Sequence, residues 1–354
     1  MKRRSNQTDS VVTTFALIGA GRRSWAHLAI AKKMKNLRCI AVYDVVEERA
    51  VATANKFEIP KIAASVDQIF EGECNAVMLA SSSASHFKLA RKALIAEKHV
   101  LCEKPVALRA SEVAELKSIA ESNRLVFHVA HQMRFEPYIL KFKELLEKKT
   151  IGEVRSASIR LAHNWGGNTE DIWIDKEIDS PGGVLFDLGI HIFDLIGWFW
   201  GPISGIDCVV PTSKFRDEEV GVNCIVRTEN GVTVFISLGW DSPVGRETSI
   251  TCDGTLARVK FQNSHDQILL EVSRTINTGR WQRLVRECHY PSKGIDREAD
   301  DLGHPLQGAH EALEGLWNSF ISSIRGAHNA CLISPTGLVE TTSWIEKSYS
   351  RLAL

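Results

Sequence analysis

A carboxylate and an imidazole lie four residues apart in a strongly apolar part of the sequence. They are Asp187 and His191, in the run GGVLFDLGIHIFD at residues 182–194. Residues four apart lie on one face of an α-helix, one turn from each other. The spacing predicts a general base, His191, oriented by Asp187. An isolated pair of this kind is more often a core histidine beside a capping aspartate, so the assignment depends on the rest of the chain.

Short apolar runs alternate with helix-like segments through the first half of the chain. Strands that alternate with helices of roughly 10–15 residues predict a parallel sheet covered on both faces. Such sheets bind ligands at the carboxyl ends of their strands. The residues with chemical potential fall at those ends: Gly19, Asp44, Ser81, Glu103 and Lys104.

A glycine-rich loop, GAGRRS at residues 19–24, follows the first predicted strand. Gly19 and Gly21 permit a tight turn and close approach of a pyrophosphate, which the next helix would face with its N-terminus. Ser24 stands where a third glycine or an alanine is usual, and it is small enough to keep the helix near the strand. The loop therefore predicts a dinucleotide site, although an ordinary glycine turn has the same appearance.

Asp44 ends the second predicted strand and strengthens this interpretation. It lies 25 residues after Gly19, near the spacing of an acid that accepts hydrogen bonds from a ribose. A carboxylate there repels a 2′-phosphate, so NAD is favoured over NADP. The arginines Arg22, Arg23 and Arg49 could soften that preference, and NADP stays open. The alternative role for Asp44 is a helix cap before Val46.

After about residue 152 the pattern changes to strands separated by turns. Strand-like runs near 207–210, 220–227, 232–238, 248–252 and 258–261 predict a mostly antiparallel open sheet with a helix on one face. We expect residues 273–306 to be irregular. Trp240 and the alternating apolar residues of 232–238 are expected to pair with another subunit, which predicts a homo-oligomer, a dimer or a tetramer.

Composition limits the classes of protein. A chain of 354 residues has the length expected of two domains. Its formal net charge of zero gives no electrostatic indication of binding to nucleic acid or to an anionic membrane. The eight cysteines are scattered without Cys-x-x-Cys spacing, which indicates reduced thiols of a cytoplasmic protein and no structural zinc. No apolar run is long enough to span a membrane. We expect no metal site.

Several motifs together resemble one family. They are the glycine loop with His27 downstream, ASSSASH at 80–86, VLCEKP at 100–105, MRFEP at 133–137, the 182–194 block, and a late run from Phe320 to Pro335. On these motifs the chain resembles the glucose–fructose oxidoreductase / inositol dehydrogenase family (Gfo/Idh/MocA) over nearly its whole length.

The resemblance implies an α/β fold with two domains. Residues 13–133 would form a Rossmann domain with a doubly wound parallel sheet. Residues 134–354 would form an α+β domain with an open, mostly antiparallel sheet, used for substrate binding and oligomerisation, and the C-terminal segment would return to the first domain. It also implies a nicotinamide cofactor and oxidation of a ring hydroxyl of a sugar, nucleotide sugar or cyclitol.

The resemblance places the catalytic set at Lys104, Asp187 and His191. The Lys104–Pro105 bond is often cis in the family, which would aim Lys104 into the cleft. In the chemistry we expect, His191 removes the hydroxyl proton, Asp187 orients the imidazole, and Lys104 stabilises the developing alkoxide. Asp194 is expected to be structural, and Arg134 is expected to pair with Glu103 or another acid.

Further contacts are expected around this set. The loop residues Ser81, Ser82, His86 and Glu103 would lie at the cofactor. His163 and Trp173 would line the substrate pocket, since aromatic faces suit sugar rings. Ser24, Ser82 and the Trp173-Ile174 pair depart from the family pattern, and the last departure leaves the substrate open.

Two other functions remain open from the sequence. A non-catalytic regulator could retain the fold and the cofactor site. A glycoside-cleaving enzyme of the same fold could use bound NAD for a transient oxidation. The presence of Lys104, Asp187 and His191 favours the dehydrogenase over the regulator.

Overall fold

Two sheets organise the part of the chain that the structure describes: one is parallel with five strands, and the other is mostly antiparallel with eight. The computed structural model describes residues 12–163, 182–215, 218–240, 242, 245–264, 267–278, 281–291, 309–327 and 335–352. The α/β fold class predicted from the sequence is confirmed. Within these ranges, none of the helices is both long and apolar enough to cross a membrane.

The first sheet has the order β2-β1-β3-β4-β5, and each neighbouring pair is parallel. Its strands are β1 Thr13–Ile18, β2 Leu37–Tyr43, β3 Ala76–Leu79, β4 His99–Cys102 and β5 Phe127–Val129. The helices between them are α1 Arg22–Lys33, α2 Glu47–Phe57, α3 Val66–Phe70, α4 Ser83–Ile95 and α5 Ala110–Ser122. The strands are short and almost wholly apolar because helices cover the sheet. Gly19, Asp44, Ser81, Glu103 and Lys104 follow the carboxyl ends of these parallel strands, so they lie along one edge of the sheet.

A 3-10 helix, Gln132–Phe135, and helix α6, Pro137–Glu147, lead to the second sheet. Its strands are β6 Val154–Ala162, β7 Ile203–Phe215, β8 Glu218–Thr228, β9 Thr233–Gly239, β10 Glu247–Gly254, β11 Arg258–Ser264, β12 Gln267–Thr278 and β13 Trp281–Pro291. Their order is β13-β12-β11-β10-β6-β9-β8-β7, with β6 and β9 as its parallel pair. Before β7 come a π-helix, Leu185–Gly189, and helix α7, Ile190–Trp200.

The expectation of an irregular segment at 273–306 is wrong for its first part. Strands β12 and β13 form a hairpin there, with Thr278 opposite Trp281. The strands carry charged residues, such as Arg274 and Glu287, whose side chains pair across the hairpin at 2.6 Å. These charges hide the apolar alternation by which a strand is recognised. Residues 292–306 lie outside the described residues.

Two cores correspond to the two sheets. The first includes apolar side chains of α8, Ala309–Ile324, whose Trp317 is fully buried with its ring 4.8 Å from that of Phe15. The second lies between one face of the large sheet and helices α6 and α7, and Ile345 of α9, Pro335–Leu352, joins it. A segment near the C-terminus thus packs beside β1, and α7 is fixed over the second sheet.

Candidate active site

The glycine loop between β1 and α1 is shaped for close approach by another group. Gly19 has a φ of +95°, and a Cβ there would lie 2.4 Å from the backbone nitrogen of Ser81. A Cβ on Gly21 would meet nothing within 4 Å, so this glycine borders open space. The Ser24 hydroxyl is buried and donates to the carbonyl oxygen of Gly21 at 2.7 Å. Small residues thus hold α1 close to the sheet and leave room for a pyrophosphate.

The N-terminus of α1 lies directly after the glycine loop. No side chain caps it at Gly21, and its first turn contains no acidic residue. The backbone N–H groups of a first helical turn and the positive end of the helix dipole favour a phosphate at such an end. Arg22, the first helical residue, is exposed at this end.

Asp44 lies beside the glycine loop at the end of β2. Its Oδ2 accepts a hydrogen bond from the backbone N–H of Ala20 at 2.6 Å, and its Oδ1 accepts one from Val46 at 2.8 Å. The carboxylate therefore braces the loop and the segment before α2. The N-cap of α2 is Val46 and has no side-chain cap, so Asp44 is not the helix cap of the alternative interpretation. Each oxygen can accept a further hydrogen bond, so a ribose contact is compatible with this position. Arg49 is exposed on α2.

Glu103 is buried and joins the end of β4 to helix α1. Its Oε1 accepts from Arg23 Nε at 2.6 Å and lies 2.9 Å from His27 Nε2. Burial raises the pKa of Glu103, but Arg23 and His27 together outweigh it and hold the pKa well below its usual range. The predicted cofactor contacts of Arg23 and Glu103 stay predictions, because here the two side chains pair with each other. That pair fixes the backbone next to Lys104.

His86 connects the loop after β3 to the turn after β4. Its Nδ1 lies 2.8 Å from the Pro105 carbonyl oxygen, and its Nε2 lies 3.0 Å from the Ser81 carbonyl oxygen. The Ser81 hydroxyl bonds that of Ser85 at 2.7 Å, and Ser82 stands at the N-terminus of α4. Burial lowers the pKa of His86, and the carbonyl oxygens of Pro105 and Ser81 oppose this shift. These residues line the edge expected for the cofactor.

Lys104 follows β4 of the first sheet, Asp187 lies in the π-helix before α7, and their side chains are in contact. The Lys104 ammonium donates to Asp187 Oδ1 in a short hydrogen bond and to the Asp187 carbonyl oxygen at 3.0 Å. The indole N–H of Trp240 donates to Asp187 Oδ2 at 3.1 Å. Burial raises the pKa of Asp187, yet Lys104 above all reverses this, so the carboxylate is ionised. The Lys104–Pro105 bond is cis, as the resemblance implied.

The expected Asp187–His191 pair does not form. The π-helix over Leu185–Gly189 widens the turn that contains Asp187, so α-helical spacing does not apply between the two residues. Asp187 turns to Lys104 and Trp240, whereas Nδ1 of His191 is buried without a hydrogen-bond partner among the described residues. Burial, with smaller effects of Lys104 and His131, places the pKa of His191 well below its ordinary value.

His163, at the end of β6, lies near this cluster. Burial lowers its pKa to about 4; Arg246 and Lys104 act in the same direction, and Asp187 opposes them. The structure thus brings His163 within electrostatic range of Lys104 and Asp187. Trp173, the other predicted substrate contact, lies outside the described residues.

Trp240 has other surroundings than the sequence indicated, Arg134 pairs with an acid as expected, and His131 is an addition to the site. Trp240 and the alternating apolar residues of 232–238 were expected at a subunit interface. That expectation is wrong, because Trp240 is buried and bonds Asp187, and Val232, Val234, Ile236 and Leu238 are buried in the second core. Arg134 pairs with Asp194 through two hydrogen bonds of 2.6 Å, which gives Asp194 the expected structural role. His131 was not singled out, and its ring lies 5.9 Å from that of His191. In the sequence, the feature that could have indicated His131 is its position just before the MRFEP motif.

The glycine loop, the acid at the second strand and the Lys104–Asp187 contact define a class of protein, the nicotinamide-dependent oxidoreductases with a Rossmann domain. Within the described ranges, no group of three or more His, Cys, Asp or Glu side chains is arranged to hold a metal ion.

The chain belongs to the GFO/IDH/MocA oxidoreductase family. Residues 13–131 match the family described as "Oxidoreductase family, NAD-binding Rossmann fold", and residues 139–260 match "GFO/IDH/MocA C-terminal domain". The resemblance inferred from the motifs is thereby confirmed, and so is the assignment as an oxidoreductase with a nicotinamide cofactor.

Relatives agree with this membership. An uncharacterized oxidoreductase, YrbE of Bacillus subtilis, is 25% identical over 73% of this chain and 75% of its own. Inositol 2-dehydrogenase of Rhizobium meliloti is 24% identical over 70% of this chain and 75% of its own. The crystal structure of an Agrobacterium radiobacter oxidoreductase in complex with NAD+, L-tartaric acid and magnesium superposes with a TM-score of 0.82 at 19% identity, covering 96% of each chain.

Proposed function

We propose that the protein oxidises a ring hydroxyl of a sugar, a nucleotide sugar or a cyclitol with NAD(P) as hydride acceptor. The contact between Lys104 and Asp187 carries the proposal. Lys104 follows β4 of the dinucleotide-binding sheet, and Asp187 precedes α7 of the second unit. A cation and a carboxylate therefore meet at the strand edge where the nicotinamide end of the cofactor is expected. The similarity to inositol 2-dehydrogenase supports the substrate class.

Oxidation of a secondary alcohol requires that a proton and a hydride leave the same carbinol group. When bound, the nicotinamide accepts the hydride. His191 takes the hydroxyl proton, since burial keeps its ring neutral with a lone pair available. Lys104 donates a hydrogen bond to the oxygen and stabilises its developing negative charge. Asp187, with Trp240 behind it, holds the ammonium group in position, and His163 lies where it can contact the substrate.

The residues that would hold the cofactor come from three strand ends. Gly19, Gly21 and Ser24 admit the pyrophosphate at the N-terminus of α1. Asp44 accepts hydrogen bonds from the ribose and favours NAD. The exposed arginines Arg22 and Arg49 are the groups that could admit NADP. The loop with Ser81, Ser82 and His86 lies on the other side of the glycine loop.

A substrate panel tests the proposal. Sugars, cyclitols and nucleotide sugars are each incubated with NAD or NADP, and the absorbance of the reduced nicotinamide is followed. Accumulation of reduced cofactor with one alcohol supports the dehydrogenase. A cofactor that returns to its oxidised form while an aglycone is released indicates the glycoside-cleaving enzyme. Tight cofactor binding without turnover of any compound indicates the regulator.

We also propose a homo-oligomer, a dimer or a tetramer, joined through the open face of the large sheet. Phe235 and Val210 share that face by strand register, and 48% and 46% of their surfaces are exposed. Phe235→Lys should lower the molecular mass measured by light scattering, and an unchanged mass would count against this face.

The domain division and the location are further proposals. The division at residues 133 and 134 is supported by the family matches, which end at residue 131 and resume at residue 139. The scattered spacing of the cysteines supports a cytoplasmic protein.

A further inference from the structure

The imidazole rings of His131 and His191 lie close together at the proposed active site. The ring of His131 lies 5.9 Å from that of His191, and the rings are nearly perpendicular at 84°. His131 follows β5 of the first sheet, and His191 lies in the first turn of α7. Both are buried, with exposed fractions of 1% and 6%. The contact therefore joins the end of β5 in the first sheet to helix α7 at the proposed general base.

Three nitrogen atoms of this pair lack hydrogen bonds. They are Nδ1 and Nε2 of His131 and Nδ1 of His191, all buried and unpartnered among the described residues. Buried polar atoms are almost always hydrogen-bonded in folded proteins, so three such atoms on adjacent rings need an explanation.

A carboxylate lies on the far side of His131. Asp194 Oδ2 is 3.6 Å from His131 Nδ1, which is within ion-pair range but longer than a hydrogen bond. Arg134 holds Asp194 through two hydrogen bonds of 2.6 Å, so the position of the carboxylate is fixed. With Nδ1 of His131 directed at Asp194, Nε2 is the nitrogen left for another partner.

We propose that His131 is a positioning residue for His191, with its Nε2 accepting from the Nδ1–H of His191 and its Nδ1–H donating to Asp194. The inference rests on the proposed function, in which the hydroxyl proton of the substrate passes to Nε2 of His191. The imidazolium that results is balanced by Asp194 through His131. Hydrogen bonds of this kind are often long in an unliganded enzyme and shorten in its complexes.

Asp187 is not placed for this task. Its carboxylate oxygens accept from Lys104 and Trp240, and no hydrogen bond joins it to His191 within the described residues. Asp194 is therefore the acid that His131 can link to His191 by hydrogen bonds.

His131 could act on His191 by its charge or by a hydrogen bond, and the two roles predict opposite shifts of the pKa of His191 when His131 is removed. Beyond burial, Lys104, His131 and Arg23 lower the pKa of His191, and Glu103 raises it. Burial also lowers the pKa of His131, which Asp194 and Glu103 raise and Arg134 and Lys104 lower. A neighbour that acts on His191 by charge alone raises the pKa of His191 when it is removed. A hydrogen-bonded link to Asp194 lowers that pKa when it is removed, because the imidazolium loses its counter-charge.

His131→Gln and the matched control His128→Gln test the inference in the full chain with NAD. His128 is a buried histidine of β5, and its ring packs against Phe320, away from His191. The assay is the pH dependence of kcat for the panel alcohol that the wild type oxidises fastest. We expect His131→Gln to lower kcat by about 10-fold to 100-fold and to move the acid limb to lower pH. KM and the Kd of NAD should stay near the wild-type values, and His128→Gln should keep the wild-type profile.

A profile of His131→Gln that equals the wild type, or an acid limb that moves to higher pH, would overturn the inference. A crystal structure of the wild type with NAD tests it without a variant. The expected distance between His131 Nε2 and His191 Nδ1 is about 3 Å, and a separation well beyond hydrogen-bond length overturns the positioning role. A wild type that oxidises no alcohol of the panel rejects the proposed function, and that crystal distance still decides the contact.

Discussion

The indole N–H of Trp317 donates a hydrogen bond to Nδ1 of His27 at 3.2 Å. An indole nitrogen only donates, so Nδ1 of His27 is the acceptor and the proton of the neutral ring lies on Nε2. Burial lowers the pKa of His27, which keeps the ring neutral. Nε2–H therefore donates to Glu103 at 2.9 Å. A helix near the C-terminus thus sets the tautomer of a histidine in the helix that begins at the cofactor loop.

Trp317→Phe should weaken both the fold and the cofactor site. The substitution leaves Nδ1 of His27 buried without a donor, which costs about 1–3 kcal/mol of the free energy of unfolding, and lost ring packing adds to this. Glu103 also loses its fixed partner, so the Kd of NAD should rise. Chemical unfolding and NAD titration measure the two effects.

Trp344→Phe is the control for that change. Trp344 lies in α9, is half-buried, and faces the ammonium group of Lys347 at 4.0 Å. We expect a smaller loss of stability and an unchanged Kd of NAD. Equal effects of the two substitutions on NAD binding would refute the role of the Trp317–His27 contact.

Lys104→Met should abolish most turnover while NAD still binds. The variant removes the cation that stabilises the alkoxide, so kcat should fall by about 10²–10⁴-fold. It also leaves Asp187 buried without its cation, and the pKa of that carboxyl should rise. Lys98→Met is the matched control, since the Lys98 ammonium donates to the Gly72 carbonyl oxygen at 2.7 Å. Near-normal turnover of Lys104→Met in the substrate panel would reject the assignment.

The local sequence pattern predicted the fold well for strands that are buried on both faces. The first sheet is covered on both faces, so its strands read as continuous apolar runs that end at glycine or polar residues. The hairpin of β12 and β13 was missed because its stability comes partly from cross-strand pairs such as Arg274–Glu287, which have no periodic signature.

The site was predicted by residue type better than by contact. Lys104 and Asp187 were chosen from motifs, and they do meet. The direction of the Asp187 side chain depends on the π-helix, and no spacing rule in the sequence reports a widened turn. Trp240 and His131 come from distant parts of the chain, so only tertiary packing brings them to Asp187 and His191.

Acid should destabilise the protein through its buried histidines, and His128 offers a measurable share. Burial lowers the pKa of His128 from 6.5 to about 4. As the pH falls below 6.5, the unfolded chain binds a proton that the folded chain does not, so stability is lost. At pH 5 this histidine alone should cost about 2 kcal/mol relative to pH 8.

His128→Leu removes that proton uptake and leaves the other buried histidines in place. The variant should lose about 2 kcal/mol less than the wild type between pH 8 and pH 5. Chemical unfolding at several pH values gives the comparison. Parallel pH dependences of the two proteins would show that His128 titrates alike in both states.

Asp44→Asn should reduce the preference for NAD over NADP. The carboxylate lies at the end of β2 beside the glycine loop, where its charge opposes a 2′-phosphate and its oxygens can accept from a ribose. The amide loses the charge, so the Kd of NADP should fall relative to that of NAD, by about 10-fold if roughly 1.4 kcal/mol of repulsion is removed. Because Oδ1 and Oδ2 also brace Ala20 and Val46, both affinities should drop somewhat in absolute terms.

Asp67→Asn is the control for that change. Asp67 is an exposed acid of α3 that lies 3.8 Å from Lys92, and its substitution should leave the ratio of the two Kd values unchanged. Titration of each variant with NAD and NADP decides the matter, and an unaltered ratio in Asp44→Asn would place the discriminating charge elsewhere.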